Sequence, residues 1–262
     1  MRAFVRLGLL LSATALACER APAPATAPVE SQSSGTALFD KGGNAGSLAF
    51  GPQEKPYGRS MVEWSERWWR WGYRVPASEN PLLVDVEPDC ANGQRGHVWN
   101  LPISFASPFS RTCDIPSSRA IVVNLSGVLN DYPCPDTSFH PANGQTLYQF
   151  LIQGAAPIVN AVFDLTLTVD GRAVPNAMDY RFTSPRLFDI TGNPTLQPVL
   201  DGCITGKPQP AISDGYFVML RPLPVGTHTI ITSGADPNGP FADTITVHSR
   251  HGDSDHDGDD GE

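Results

Sequence analysis

At 262 residues, with 40% hydrophobic residues and 24 glycines beside 25 prolines, the chain can bury a real core in one large β-rich domain or two small ones. Its formal net charge of -9 argues against phosphate-rich partners, so neither nucleic acid nor an anionic lipid surface is expected. Much of that acidity sits in the last ten residues, which leaves the body only mildly acidic.

The N-terminus reads as an export signal. Arg2 and Arg6 supply a positive n-region, Phe4 to Leu11 a short apolar core, and Ala15-Leu16-Ala17 the small residues a signal peptidase accepts. The apolar run is too short for a permanent membrane span. The run Ser12 to Cys18 resembles the lipobox of bacterial lipoproteins, in which the cysteine after the cleavage point is lipidated. The match departs at Ala15, where that family usually has leucine, and Leu16 follows one place later. Residues 1–17 are therefore expected to be removed and Cys18 to carry the lipid, with plain secretion or a periplasmic location as the alternative. Glu19, rather than Asp, follows the cysteine, which in a Gram-negative host favours the outer membrane. Residues 18–55, rich in proline, serine and glycine, read as a spacer holding the body off the membrane. The glycines at 42, 43 and 46 lack the lysine and the strand–loop–helix setting of a phosphate loop.

Five cysteines make an odd count, and lipidation of Cys18 removes the odd one. Cys90, Cys113, Cys134 and Cys203 can then form two disulfides in an oxidising compartment, with three pairings open. Cys90 with Cys113 and Cys134 with Cys203 is the favoured set, because the nested and crossed sets tie distant loops without a local reason. No Cys-x-x-Cys pair points to zinc.

The expected domain spans residues 56–250 and opens on a helix. Ser60 and Glu63 form a capping box, after which Met61, Trp64, Trp68 and Trp71 recur at helical spacing. Glu63 with Arg67 and Glu66 with Arg70 add i,i+4 pairs on the wet side, and Gly72 with Val75-Pro76 is the expected stop. The tryptophan stripe is read as a face that seals a sheet. Trp69, turned about 100° from Trp68, is the candidate for an exposed aromatic contact with a glycan.

Beyond Gly96 the pattern is strands and turns. Strands are expected at 97–101, 120–128, 162–169, 216–220, 227–232 and 244–248. Asp170-Gly171 predicts a hairpin, Asp214-Gly215 the turn opening the strand at Tyr216, and 222–226 a link between strands. Residues 216–231 resemble the penultimate strands of bacterial immunoglobulin-like and jelly-roll sandwiches. The expected fold is thus a mainly β protein, a β-sandwich with long loops, one packed N-terminal amphipathic helix and two disulfides.

Linear chemistry motifs are absent. There is no His-Glu-x-x-His, Gly-x-Ser-x-Gly, Walker or Rossmann signature. Sandwich glycosidases and lyases assemble their groups from separate strands, and Glu63, Arg95, His97 and Asp214 are the polar residues nearest the aromatic segments. Each also has a structural role: Glu63 as cap, Arg95 as loop charge, His97 as strand residue and Asp214 as turn former. In the tail, residues 251–262, Asp253, Asp255 and Asp257 with Gly258 copy the opening of a calcium loop. The bidentate acid belongs at position 12 and the sequence reaches only Glu262 at position 10, so a solvated acidic tail is the stronger reading and weak calcium binding the lesser. His251 and His256 define no transition-metal site. No cofactor is expected otherwise.

The set Tyr57-Gly58-x-Ser60, Glu63-Trp64, Trp68-Trp69-x-Trp71, Cys90-x-x-Gly93-Gln94-x-Gly96-x-Val98-Trp99, Arg111-x-Cys113-x-Ile115-Pro116 and Asp214-Gly215-Tyr216-x-Val218-Met219-Leu220 resembles an uncharacterised family of exported bacterial proteins. It covers most of residues 57–235. The resemblance supports the Cys90–Cys113 pairing and a single domain, and implies no catalytic residue. These readings converge on an envelope lipoprotein, anchored to the membrane by its lipid, whose noncatalytic sandwich binds a glycan or an envelope protein. The alternatives are a carbohydrate-active enzyme and a structural surface protein.

Overall fold

The computed structural model describes residues 47–83, 89–103 and 108–252. Cys18, nearly all of the spacer, and Asp253, Asp255 and Asp257 lie outside the described residues. In chain order the elements are α1 (Met61–Arg74), β1 (Val98–Asn100), β2 (Phe109–Pro116), β3 (Ala120–Asp131), α2 (Leu147–Asn160), β4 (Phe163–Val169), β5 (Arg172–Ala173), β6 (Arg181–Thr183), β7 (Phe188–Ile190), β8 (Gln209–Leu220), β9 (Gly226–Asp236) and β10 (Gly239–Arg250). They form two five-stranded sheets, one ordered β1-β3-β8-β6 with β7 also on β8, the other β2-β10-β9-β4-β5. The β1–β3 and β2–β10 pairs are parallel, and every other pair is antiparallel.

The first sheet is covered on both faces, which explains why its long strands do not alternate in hydrophobicity. Ile121, Val123 and Leu125 of β3 face the second sheet, while Ala120 and Val122 face the α1 side. Tyr216, Val218 and Leu220 of β8 divide from Phe217 and Met219 in the same way. A register shift between Asn124 and Ser126 reverses the phase, so Leu129 joins the α1 side. The second sheet alternates along β10, where Phe241, Ile245 and Val247 enter the core between more exposed neighbours.

Ser60 and Glu63 make the expected capping box, and Val75 ends the helix. Gly72 is not the stop. It lies inside α1, where a Cβ would meet Leu82 Cδ1 at 2.5 Å, so its role is close packing. A second helix, α2, was not expected from the sequence; it is capped by Thr146 and Gln149 and packs through Leu151 and Ala155 on Ile212 of β8. Asp170 and Gly171, with φ of 52° and 74°, close the β4–β5 hairpin as expected. Asp214-Gly215 is no turn; it sits inside β8, and a Cβ on Gly215 would lie 2.5 Å from Gly127 Cα. Residues 222–226 do connect two strands, and carry the chain from the first sheet to the second.

The fold also starts before residue 56. Ala49 bridges Leu220, Phe50 N donates to Met219 O at 2.9 Å, and Arg221 N donates to Leu48 O at 2.9 Å. Cys90 pairs with Cys113 and Cys134 with Cys203, the favoured set. The first bond ties the loop before β1 to β2, and the second ties the end of β3 to the segment before β8.

Candidate functional site

The α1 tryptophans are structural. Trp64 Nε1 donates to Pro56 O at 3.0 Å, Trp68 Nε1 to Leu101 O at 3.1 Å and Trp71 Nε1 to Asn92 O at 3.0 Å. Trp69 corrects the expectation placed on it: it is only 2% exposed, and its Nε1 donates to Ser213 Oγ of β8 at 3.0 Å. A single-stripe helix lies on a surface, whereas α1 is enclosed by the first sheet and the segment after the helix, so a residue 100° off the stripe is also covered. Glu66, expected on the wet side, is half-buried; it accepts from Ser184 Oγ at 3.3 Å and meets Arg70 at 3.7 Å. Burial, ahead of the opposing pull of Arg70, raises its pKa.

The four candidate catalytic residues are committed to separate elements. Glu63 accepts from Ser60 N at 2.8 Å and Ser60 Oγ at 2.9 Å, and these bonds hold its carboxyl below the usual range. Asp214 is 1% exposed and receives Arg181 in a two-pronged pair, Nε at 3.0 Å and Nη2 at 2.7 Å, with Thr183 Oγ1 at 2.8 Å. That geometry raises the Arg181 pKa, chiefly through the hydrogen bond, and locks β6 to β8. Arg95 is exposed in the loop before β1. His97, also exposed, is the one candidate that reaches a cavity.

That cavity, about 530 Å³, opens where the parallel edge strands of the two sheets meet. Gln94 braces its wall, donating to Asn100 O at 2.7 Å and Cys90 O at 3.1 Å and accepting from Asn100 N at 2.9 Å. The turn joining β2 to β3 closes another side, held by Ser117 N on Arg250 O at 2.7 Å and by Arg119 N on Pro116 O at 3.0 Å. The Cys90–Cys113 disulfide fixes the loop carrying Gln94 and His97 to β2. His97, Trp99, Asp114, Ser118, Arg119, Arg250 and His251 all contribute to the lining.

Two features of this cleft stand out chemically. The Arg119 guanidinium lies 5.7 Å over the Trp99 ring and has no ion-pair partner among the described residues. The Trp99 indole N–H is buried and has no acceptor, a shortfall of about 1–3 kcal/mol. Arg250 pairs with Asp114 at 2.9 Å, but both side chains are mostly exposed, so the pair contributes about 0–1 kcal/mol. Beside the cleft, the His97 ring stacks on Tyr57 with centroids 6.1 Å apart and planes 10° from parallel. Tyr57 is 46% exposed and held at φ 54°, a left-handed conformation that costs an L-residue about 1–2 kcal/mol. Phe50 and Trp64 wedge its ring edge-on, so the chain presents this aromatic outward on a rigid seat.

Sequence reading missed Arg119, Arg250 and Tyr57, because nothing in their local spacing announces that the β2–β3 turn and the end of β10 share a cleft beside the His97–Tyr57 stack. It also missed a pair of buried carboxyls. Asp131 and Asp201 lie at the end of β3 and in the segment before β8, and their oxygens and Cys203 Sγ are all within 4.8 Å of one another. Asp201 accepts from Tyr73 Oη at 3.0 Å and from Cys203 N at 2.9 Å, while Asp131 Oδ2 has no partner. Burial, then the Asp201 charge, pushes Asp131 up to about 7. Burial likewise raises Tyr73 well above its ordinary value. The sulfur belongs to a disulfide and both carboxyls are buried, so this cluster offers neither a thiolate for a metal nor a groove for a substrate.

Asp114 is the one carboxylate among the described residues lining the cleft, and these residues form no facing carboxylate pair of the glycoside-hydrolase kind. The groups that are present can bind: cationic forks, hydroxyl and imidazole donors, one acceptor carboxylate and an adjacent flat ring. No family model, curated protein or solved structure matches the chain. The structure itself defines the class: a disulfide-bonded β-sandwich with two packed helices. Its two disulfides fit an oxidising, exported environment, and among the described residues no helix is long and apolar enough to cross a membrane.

Proposed function

We propose that the mature protein is a lipid-anchored envelope protein, on the outer membrane in a Gram-negative host, whose sandwich binds a glycan in the cleft between its parallel edge strands without transforming it. The observation that carries this reading is the placement of an exposed, rigidly seated Tyr57 beside a cleft whose described lining is rich in side-chain donors and holds one carboxylate. Apolar ring faces pack on the C–H faces of sugars while polar groups meet the hydroxyls. The signal-like N-terminus, Cys18, and the resemblance to exported bacterial proteins support the anchor. The same features give the proline-rich spacer a purpose, since a tethered binding domain needs reach.

Two measurements test the proposal. Mass spectrometry of the mature N-terminus is expected to find a diacylglyceryl adduct on Cys18, and an unmodified thiol would overturn the anchor. Binding of the full mature chain to a panel of envelope and extracellular polysaccharides is expected to include at least one ligand, with Tyr57→Ala weakening it about tenfold. Silence across the panel defeats the glycan reading.

A further inference from the structure

We propose that the cleft selects sugars bearing a carboxylate, uronic-acid chains, with Arg119 and Arg250 as the groups that read the acid. This deepens the glycan-binding reading above and rests on it. The whole chain carries -9, yet among the described residues two arginines line the cleft against one carboxylate, Asp114.

The two arginines are differently placed for the task. Among the described residues Arg119 has no carboxylate partner, and it is held over the Trp99 ring. The Trp99 N–H is buried in the wall, so the Arg119 guanidinium, which lines the cleft, is the group a ligand carboxylate would meet. Arg250 is paired with Asp114 across an exposed contact of 2.9 Å, which water and salt already weaken. A ligand carboxylate can therefore take the arginine fork while Asp114 turns to accept a hydroxyl.

That Asp114 also decides between anions. A compact dianion such as phosphate would be repelled by it and would gain nothing from Tyr57. A uronate has one charge on one edge of its ring and hydroxyls for Asp114 and Ser118, and a longer uronate chain would extend toward Tyr57 beside the cleft. The mixed polarity of the lining matches this combination better than a bare anion.

Calorimetric titration of the full mature chain with oligogalacturonate, its fully methyl-esterified form and inorganic phosphate tests the assignment. The acid form is expected to bind at least about tenfold tighter than the ester and to weaken as salt rises from about 50 to about 500 mM. Phosphate is expected not to compete at the same concentration. Arg119→Gln and, at a more exposed position, Arg250→Gln should each weaken the acid form about tenfold and leave the ester unchanged, with melting curves confirming that both variants fold. Equal binding of acid and ester, or displacement by phosphate, overturns uronate selectivity and leaves glycan binding standing. Failure of both oligosaccharides, together with silence across the wider panel, defeats glycan binding itself.

Discussion

The chain's five tryptophans divide between two regions that treat the indole group differently. On α1, Trp64, Trp68, Trp69 and Trp71 each place the indole N–H on an acceptor at 3.0–3.1 Å. On β1, Trp99 is equally buried but its N–H has no partner, and Arg119 covers its ring. An aromatic with its polar tip satisfied fastens two elements together. One whose tip is unsatisfied stays buried only because its surroundings offset the lost hydrogen bond. Aromatic density alone therefore does not find the unsatisfied indole: most of the tryptophans are in the helix, while the one without an acceptor is at the sandwich edge.

The contrast breaks most sharply at Trp68, which is fully buried and touches Trp69, Trp71 and Phe217 edge-on. Trp68→Ala is expected to cost about 3–5 kcal/mol in chemical denaturation, with loss of near-ultraviolet dichroism from the cluster. A loss below about 1 kcal/mol would show that α1 does not depend on this anchor. The two disulfides come next. Replacing Cys134 and Cys203, which close a separation of 69 residues, should cost about 4 kcal/mol, against about 3 kcal/mol for Cys90 and Cys113 at 23. The second change should nonetheless damage ligand binding more, because that bond positions the cleft loop.

The helix region has its own exception at Asp131. A carboxyl whose folded pKa is raised from 3.8 to about 7 binds more protons folded than unfolded between those values. Its stabilising contribution is present below about pH 4 and is lost as pH rises through 7. Asp131→Asn, which keeps the neutral shape, is expected to match the wild type near pH 4 and to gain on the order of 3 kcal/mol by pH 8. Parallel stability curves for the two proteins across that range would refute the buried-pair account. The smallest effect separates the indoles themselves. Trp69→Phe leaves Ser213 Oγ without its donor, whereas Trp99→Phe strands no hydrogen-bond partner among the described residues, so the former should cost about 1 kcal/mol more in matched denaturation experiments. Equal costs would erase the distinction.

Legibility in the sequence followed the same division. Period and capping residues located α1 because a helix of 14 residues expresses both locally. The β4–β5 hairpin was legible because Asp170-Gly171 can adopt the two positive φ values its turn needs. The second helix carried a signal too, Thr146-x-x-Gln149, but Gly154 and Pro157 inside it obscured the pattern. β8 was read too short and Asp214-Gly215 as a turn, since a strand buried on both faces does not alternate and a close strand crossing selects glycine as readily as a turn does.

His97 was named from its neighbourhood and does line the cleft; Arg119, Arg250 and Tyr57 were not named, being brought together from a strand turn, a strand end and the residues before α1. Glu63 and Asp214 had their polar groups used by a cap and an ion pair. By itself the sequence determined the fold class, the opening helix, the hairpin and the favoured cysteine pairing, all of which depend on local spacing or on how few partners four cysteines have. Only the tertiary structure decided which tryptophan is unsatisfied, which aspartate has its pKa raised and where two arginines share a cleft, because burial and charge are set by neighbours that the chain brings in from far along its length.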